Sequence, residues 1–164
     1  MRIIGSAQTT NERTRSDAVI GRDAWSLLAW LGTTFILMGA IDIGLGTYPM
    51  AFGNAEWEFG VVSSILNGFA IPTMGCYLLL ASSIARGSSG LTRGVAIGMV
   101  VVALTLVVLG LLYVTVVPVA LKAVNQSDVV YLGMKKAVVK ALTFLLAYWL
   151  LYVVGAIKGW RAAR

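Results

Sequence analysis

Four apolar runs, each long enough to cross a lipid bilayer as a helix, constrain this chain more than any other feature. They lie at about 25–45, 59–85, 94–117 and 137–157. A transmembrane helix needs about 20 predominantly apolar residues. With 59% hydrophobic and 12% charged residues, the chain is also far less charged than an ordinary soluble domain, at about 25%. We therefore expect an all-α, polytopic integral membrane protein with four transmembrane helices.

The segments outside these runs divide the chain into three parts. Residues 1–24 carry both signs of charge and are expected to form a polar, mobile cytoplasmic tail. Residues 25–157 form the four-helix transmembrane domain, and residues 158–164 form a basic C-terminal tail. The connections within the domain are expected at 46–58, at 86–93 and in a mixed segment at 119–134, with a turn at 125–128.

The distribution of Lys and Arg predicts the orientation, because cytoplasmic loops carry an excess of these residues. Nine of the 13 Lys and Arg residues lie in the two tails and the 86–93 loop, whereas the 46–58 loop has none. We expect a multi-pass protein of the bacterial inner (cytoplasmic) membrane with both termini in the cytoplasm. The remaining four lysines fall on the opposite side. Either they meet an acidic partner or lipid there, or a span has been miscounted, and we favour the first.

The net charge of +6 does not indicate nucleic acid as a partner. The basic residues flank apolar runs, which is typical of contact with lipid headgroups. Lys135, Lys136 and Lys140 lie at the start of the fourth run, and Trp57 lies in the first loop. These four residues are candidate contacts for lipid or for another integral membrane subunit. For the lysines, an ordinary basic collar at the membrane interface is the favoured interpretation, and docking to an acidic surface of a partner is the alternative.

The absence of histidine narrows the chemistry that the chain can perform. Histidine is the commonest metal ligand and the usual proximal ligand of haem, and the sequence contains none. One cysteine, Cys76, is too few for a zinc site. Without histidine, neither a Ser–His nor a Cys–His catalytic pair can form. We expect no catalytic residue, no metal and no histidine-ligated haem or chlorophyll. Lipid or pigment held without a ligand stays open, as does ligation through Asn67, a Met or a bridging water. The chain is predicted not to be an enzyme.

Three polar residues within the apolar runs are candidate intramembrane sites. Asp42 lies near the end of the first run, and Ser63 and Asn67 lie four residues apart in the second. Polar groups at this depth should face protein and form hydrogen bonds between helices, and Asp42 and Asn67 could pair. Ionisable residues in spans also mark transport pathways. A proton-coupled carrier, or a ligand cavity lined by this stripe, therefore stays open as the alternative.

Small residues at four-residue spacing predict close helix packing. The motifs are Gly60-x3-Ser64-x3-Gly68 in the second run and Gly94-x3-Gly98 in the third. We expect them to pack within the bundle, with oligomer contacts as the minor alternative. Pro72 lies in the second run and removes a backbone donor, which predicts a kink around residues 68–72. Pro118 is expected to mark the end of the third span.

Three short motifs resemble those of the HpsJ-type bacterial membrane proteins. They are Asn54-Ala-Glu-Trp57, Ser64-Ile-Leu-Asn-Gly68 and Ile71-Pro-Thr-Met-Gly75. Such proteins have a Trp-bearing outer loop, followed by a span with a Pro/Leu-Gly element, within a four-span layout. The resemblance implies a link with surface-polysaccharide production. It implies no catalytic residues.

These patterns favour an accessory role over a chemical one. The chain offers helices, small-residue faces, polar tails and a basic collar, but no reactive group. We expect a non-catalytic, structural subunit of a larger bacterial membrane complex, such as a photosynthetic or respiratory assembly. It would stabilise its neighbours and bind lipid or pigment in apolar grooves. A small transporter, or a membrane protein that handles surface polysaccharide or lipid, is the alternative.

Overall fold

A computed structural model describes the backbone of residues 5–123 and 128–164, and the side chains of 23–54, 57–122 and 131–164. The helices are α1 (Gly5–Thr47), α2 (Ala55–Gly68), α3 (Ala70–Ala85), α4 (Ser89–Ala123) and α5 (Asp128–Ala162). Short connections join α1 to α2, α2 to α3 and α3 to α4, and no strand occurs within the described backbone. The prediction of an all-α chain is therefore confirmed for these residues.

Three helical segments are long and apolar enough to cross a membrane: Asp23–Thr47, Ser89–Lys122 and Tyr131–Ala162. A fourth crossing forms if Trp57–Gly68 and Ala70–Ala85 are counted as one bent span. The four apolar runs of the sequence thus coincide with three straight helices and one broken helix. Length and composition support three to four spans, and the first run lies in the C-terminal part of α1.

The pair of helices α2 and α3 bends by 40° at Phe69. Pro72 has no N–H to donate to the carbonyl of Gly68, and its ring crowds that carbonyl. The backbone N–H of Thr73 still donates to the carbonyl of Phe69 at 3.2 Å, and the Thr73 hydroxyl donates to the same oxygen at 2.6 Å. The bend therefore lies inside the 68–72 segment where Pro72 predicts a kink.

The helices run alternately between two ends of the bundle. We call the end with residues 86–88 and the C-terminus the terminal face, and the end with residues 48–54 the loop face. Hydrogen bonds tie elements together at the terminal face: the Ser82 hydroxyl donates to the carbonyl of Trp25 at 2.7 Å, and Arg93 donates to that of Ala163 at 3.1 Å. Gly87 ends α3 with φ +64, a left-handed conformation that favours glycine.

Helix α1 packs chiefly against α3, and glycines bring the two backbones together. A Cβ on Gly32 would lie 2.8 Å from the carbonyl oxygen of Gly75, and a Cβ on Gly75 would lie 2.6 Å from that of Gly32. Two helical turns further along α1, a Cβ on Gly39 would lie 2.6 Å from Cδ of Pro72. No side chain fits at these positions without separating the helices.

Helices α4 and α5 form the second close pair. The buried positions of α4 alternate mostly at three and four residues, as in a coiled coil: Ala96, Met99, Ala103, Leu106, Gly110, Tyr113 and Ala120. On α5, Gly155 and Gly159 meet this stripe, since a Cβ on Gly155 would lie 2.7 Å from Sδ of Met99. A Cβ on Gly159 would lie 2.9 Å from Cδ1 of Leu80 on α3, so these two glycines join three helices.

The structure corrects part of the predicted packing motif. A Cβ added to Gly60, Gly94 or Gly98 would have nothing within 4 Å, so their assignment to contacts within the bundle is wrong. The buried face of α4 that packs against α5 includes Ala96. Gly94 and Gly98 lie on the exposed face of α4. Ser64 and Gly68 do face a neighbour, because they lie against Gly46 and Asp42 of α1.

Two helix boundaries differ from those expected. Helix α4 continues through Pro118 to Ala123, so the proline does not end the helix. Residues 5–24 continue α1 as helix, and the mobility of this segment stays a prediction. The expected turn at 125–128 lies, apart from Asp128, outside the described residues.

We predict opposite effects of alanine at two glycines. Gly75→Ala places a methyl group 2.6 Å from the carbonyl oxygen of Gly32 and should lower the free energy of unfolding by about 1–3 kcal/mol. Gly98→Ala meets nothing within 4 Å and should leave it unchanged or raise it by about 0.5–1 kcal/mol, since alanine favours helix. Thermal unfolding of the two variants in detergent checks this. Equal melting temperatures would contradict the α1–α3 contact.

Candidate functional site

A cavity of about 280 Å³ lies at the loop face. It lies between α2, α4 and the connection that follows α1. Most of its lining is aliphatic or aromatic: Thr47, Met50, Phe52, Trp57, Glu58, Val61, Val62, Leu109, Leu112, Tyr113 and Val116. Such a lining binds apolar groups and offers little to a charged ligand.

The connection at residues 48–54 is held over this cavity by contacts with the first turn of α2. Asn54 caps α2, since its side-chain oxygen accepts a hydrogen bond from the N–H of Trp57 at 3.2 Å. The carboxylate of Glu58 accepts one from the N–H of Gly53 at 2.9 Å, and Gly53 has φ +86, which favours glycine. The rings of Phe52 and Trp57 meet edge to face at 5.4 Å.

Tyr113 forms the wall of the cavity on the α4 side. Its side chain is 1% exposed, and its ring stacks on Phe59 of α2 with centroids 5.5 Å apart. Ser63 lies beside the Tyr113 hydroxyl, yet neither oxygen has a partner with hydrogen-bond geometry among the described residues. Ser63 therefore faces the interior, as expected for a polar residue within a span, but it does not complete a hydrogen bond between helices.

A second polar cluster lies in the middle of the bundle. The Thr73 hydroxyl lies 3.3 Å from the hydroxyl of Tyr152, and the latter lies 3.9 Å from Sγ of Cys76. One turn away, the Tyr77 hydroxyl donates to the carbonyl of Leu151 at 2.6 Å. These contacts join α3 to α5 and give the polar atoms involved a hydrogen-bond partner. The role of the cluster is therefore to hold the two helices together.

The structure does not bring Asp42 and Asn67 into the interior. Both residues are exposed, Asp42 on α1 and Asn67 on α2. The Asp42 carboxylate lies against the backbone of Gly68, where a Cβ would be 2.8 Å from Oδ2. The expectation that the polar stripe of α2 faces protein is therefore wrong for Asn67 within this chain, because its side chain points to the outside of the bundle.

The predicted contact residues lie toward the loop face. Lys135 and Lys140 place their Nζ atoms over the rings of Tyr131 and Phe144, at 4.3 and 5.3 Å from the centroids. Lys136 is exposed between them. Trp57 is half-buried and lines the cavity, so it contributes to a site in addition to any contact with lipid or a partner.

Sequence patterns alone do not single out the cavity. Its aliphatic walls look like any other part of an apolar run. Tyr113 is the one lining residue that the sequence could have marked as unusual. A tyrosine within a Val- and Leu-rich run usually needs a hydrogen-bond partner for its hydroxyl.

No group of three or more His, Cys, Asp or Glu side chains that could hold a metal ion occurs among the described residues. No protein family, curated protein or solved structure matches the chain. The functional interpretation therefore depends on the fold itself: an apolar cavity, a structural cross-link and two outward-facing polar side chains.

We predict that two buried tyrosines respond differently to loss of the hydroxyl. Tyr152→Phe removes the contact with Thr73 and should lower the free energy of unfolding by about 0.5–1.5 kcal/mol. Tyr113→Phe removes a hydroxyl that has no partner among the described residues, so stability should stay the same or rise. Unfolding followed by circular dichroism in detergent gives both values. A loss at Tyr113 as large as that at Tyr152 would contradict the unpaired hydroxyl.

Proposed function

We propose that the chain is a non-catalytic accessory subunit of a larger membrane complex in the bacterial inner membrane. On this proposal it crosses the membrane four times, with the bent pair α2–α3 as one span and both termini in the cytoplasm. The terminal face then lies on the cytoplasmic side, where the positive charge of the tails and of the 86–93 loop is expected. The subunit stabilises its neighbours and holds lipid or pigment in its apolar grooves.

The outward position of Asp42 and Asn67 carries this proposal. Asp42 is 17 residues beyond Trp25, or about 25 Å along the helix at 1.5 Å per residue. The hydrocarbon of a bilayer is about 30 Å thick, so the Asp42 carboxylate lies within its outer part. Asn67 adjoins Gly68, which packs against Asp42, and so lies at a similar depth. Both side chains are exposed, and polar groups at this depth are costly when they face lipid.

A helix of a neighbouring subunit would relieve that cost. A Lys, Arg, Asn or Gln side chain on such a helix could donate to the Asp42 carboxylate and bond the Asn67 amide. The surface formed by these two residues is therefore the proposed assembly surface.

The length of the helices supports contacts outside the bilayer as well. Helices α4 and α5 have 35 residues each, about 52 Å at 1.5 Å per residue, against about 30 Å of hydrocarbon. The excess at the loop face includes Lys135 and Lys136, which could meet an acidic surface of a neighbour. A photosynthetic or respiratory assembly would provide such neighbours.

The cavity at the loop face favours a second candidate function, in which the protein handles lipid or a surface-polysaccharide precursor. The resemblance to HpsJ-type proteins points the same way. A transporter is the related possibility, and it would depend on the Asp42 carboxylate. Replacement of Asp42 by Asn distinguishes these roles, because it removes the charge and keeps the capacity to form hydrogen bonds.

We predict that Asn67→Leu weakens assembly. The loss of one interhelical hydrogen bond of about 1 kcal/mol corresponds to roughly fivefold weaker association. The matched control is Thr105→Leu, which also changes an exposed polar residue to leucine but whose hydroxyl bonds within its own helix, to the carbonyl of Val101 at 3.0 Å. Quantitative mass spectrometry of complexes extracted in mild detergent at native expression measures the co-purifying subunits.

The accessory role predicts fewer co-purifying subunits for Asn67→Leu and no change for Thr105→Leu. A wild-type protein that purifies as a lone 17.4 kDa chain would contradict the role. Loss of a measurable transport activity in Asp42→Asn would favour the carrier instead.

A further inference from the structure

We propose that the cavity at the loop face binds one hydrocarbon chain of a phospholipid from the leaflet on that side. This assignment rests on the lipid-binding part of the proposed function, and it requires the membrane setting but not the larger complex. The proposed ligand has an apolar tail and a polar head that carries an amine.

The chemistry of the wall separates an apolar interior from a polar rim. Val62, Leu109 and Leu112 line the cavity and have hydrocarbon side chains. Thr47 ends α1 and Glu58 lies in the first turn of α2, so both polar groups lie next to the connecting loop. A molecule with a hydrocarbon tail and a polar head matches this order, since each part meets its own kind of surface.

The depth of the cavity matches the region where phospholipid chains begin. Along α4, Leu109 and Val116 lie 16 and 23 residues beyond Arg93 at the terminal face, or about 24 and 34 Å at 1.5 Å per residue. Hydrocarbon about 30 Å thick would end between these two positions. The cavity therefore spans the boundary between acyl chains and headgroups, which a lipid reaches without leaving its leaflet.

The volume suits a segment of one alkyl chain, at about 280 Å³. A tetrapyrrole pigment has several times as many atoms as such a segment and is the poorer match.

The negative charge of Glu58 at the rim of the cavity favours a lipid headgroup that carries a positive charge. Glu58 has one carboxylate oxygen engaged by the N–H of Gly53, and the half-buried ring of Trp57 lies beside it. A carboxylate and an indole ring both attract an ammonium group. The site should therefore prefer phosphatidylethanolamine to a free fatty acid, whose carboxylate Glu58 would repel.

Photo-crosslinking tests the assignment on the purified full chain in phosphatidylcholine vesicles. The first probe is phosphatidylethanolamine with a diazirine near the middle of one acyl chain, and the second is palmitic acid with the same group. Val116→Phe fills the cavity from α4, whereas Val108→Phe makes the same change at an exposed position of α4 that does not line it. Mass spectrometry of peptides measures labelling at Val61, Val62 and Leu109, which line the cavity and are buried or half-buried.

The assignment predicts that the phosphatidylethanolamine probe labels these residues in the wild type. Labelling should fall at least fivefold in Val116→Phe and stay unchanged in Val108→Phe, with both variants showing the same melting temperature within a few degrees. Labelling confined to lipid-facing residues such as Leu104, or equal in both variants, would overturn the site. Stronger labelling by palmitic acid would overturn the phospholipid as its source. Because the chain is tested alone, failure of the accessory role leaves this result unaffected.

Discussion

The helices of this chain present most of their apolar side chains outward, and every other feature of the fold follows from that constraint. Within the most apolar window of each straight candidate span, between 11% and 28% of the residues are buried inside the bundle. On the proposed account, lipid is the solvent of exposed side chains such as Trp30, Leu45 and Leu111. Because lipid gives no hydrophobic reason for helices to associate, close packing then holds the bundle together. The contact of Gly32 with Gly75 provides such packing between α1 and α3.

The same constraint explains why the polar side chains of the helices need hydrogen-bond partners. Most hydroxyl groups in the helices are satisfied locally, as when Thr33 donates to the carbonyl of Ala29 at 2.9 Å, or across helices, as between Tyr77 and Leu151. Asp42 and Asn67 are different because they face outward. On the proposed account their partner is another subunit, and the polar rim of the loop-face cavity has a lipid head as its partner.

The helical architecture could be predicted from the sequence because long apolar runs determine it almost alone. The packing could not be predicted as well. Small-x3-small spacing at Gly94 and Gly98 pointed to the wrong face of α4, because many residues share that spacing and only tertiary contacts decide which face is used. The seven-residue spacing of Ala96, Ala103 and Gly110 marks the face that packs on α5. The cavity depends on where the connecting loop folds back, which no local pattern encodes.

Extraction of membranes with alkaline carbonate tests the central claim most directly. This treatment strips proteins that are held at the surface and leaves integral proteins in the lipid. If lipid is the solvent for the outward apolar side chains, the full chain stays in the membrane pellet after ultracentrifugation and floats with lipid in a density gradient. Recovery of the folded chain in the supernatant would mean that its apolar surface is covered by something other than a bilayer, and it would contradict the account.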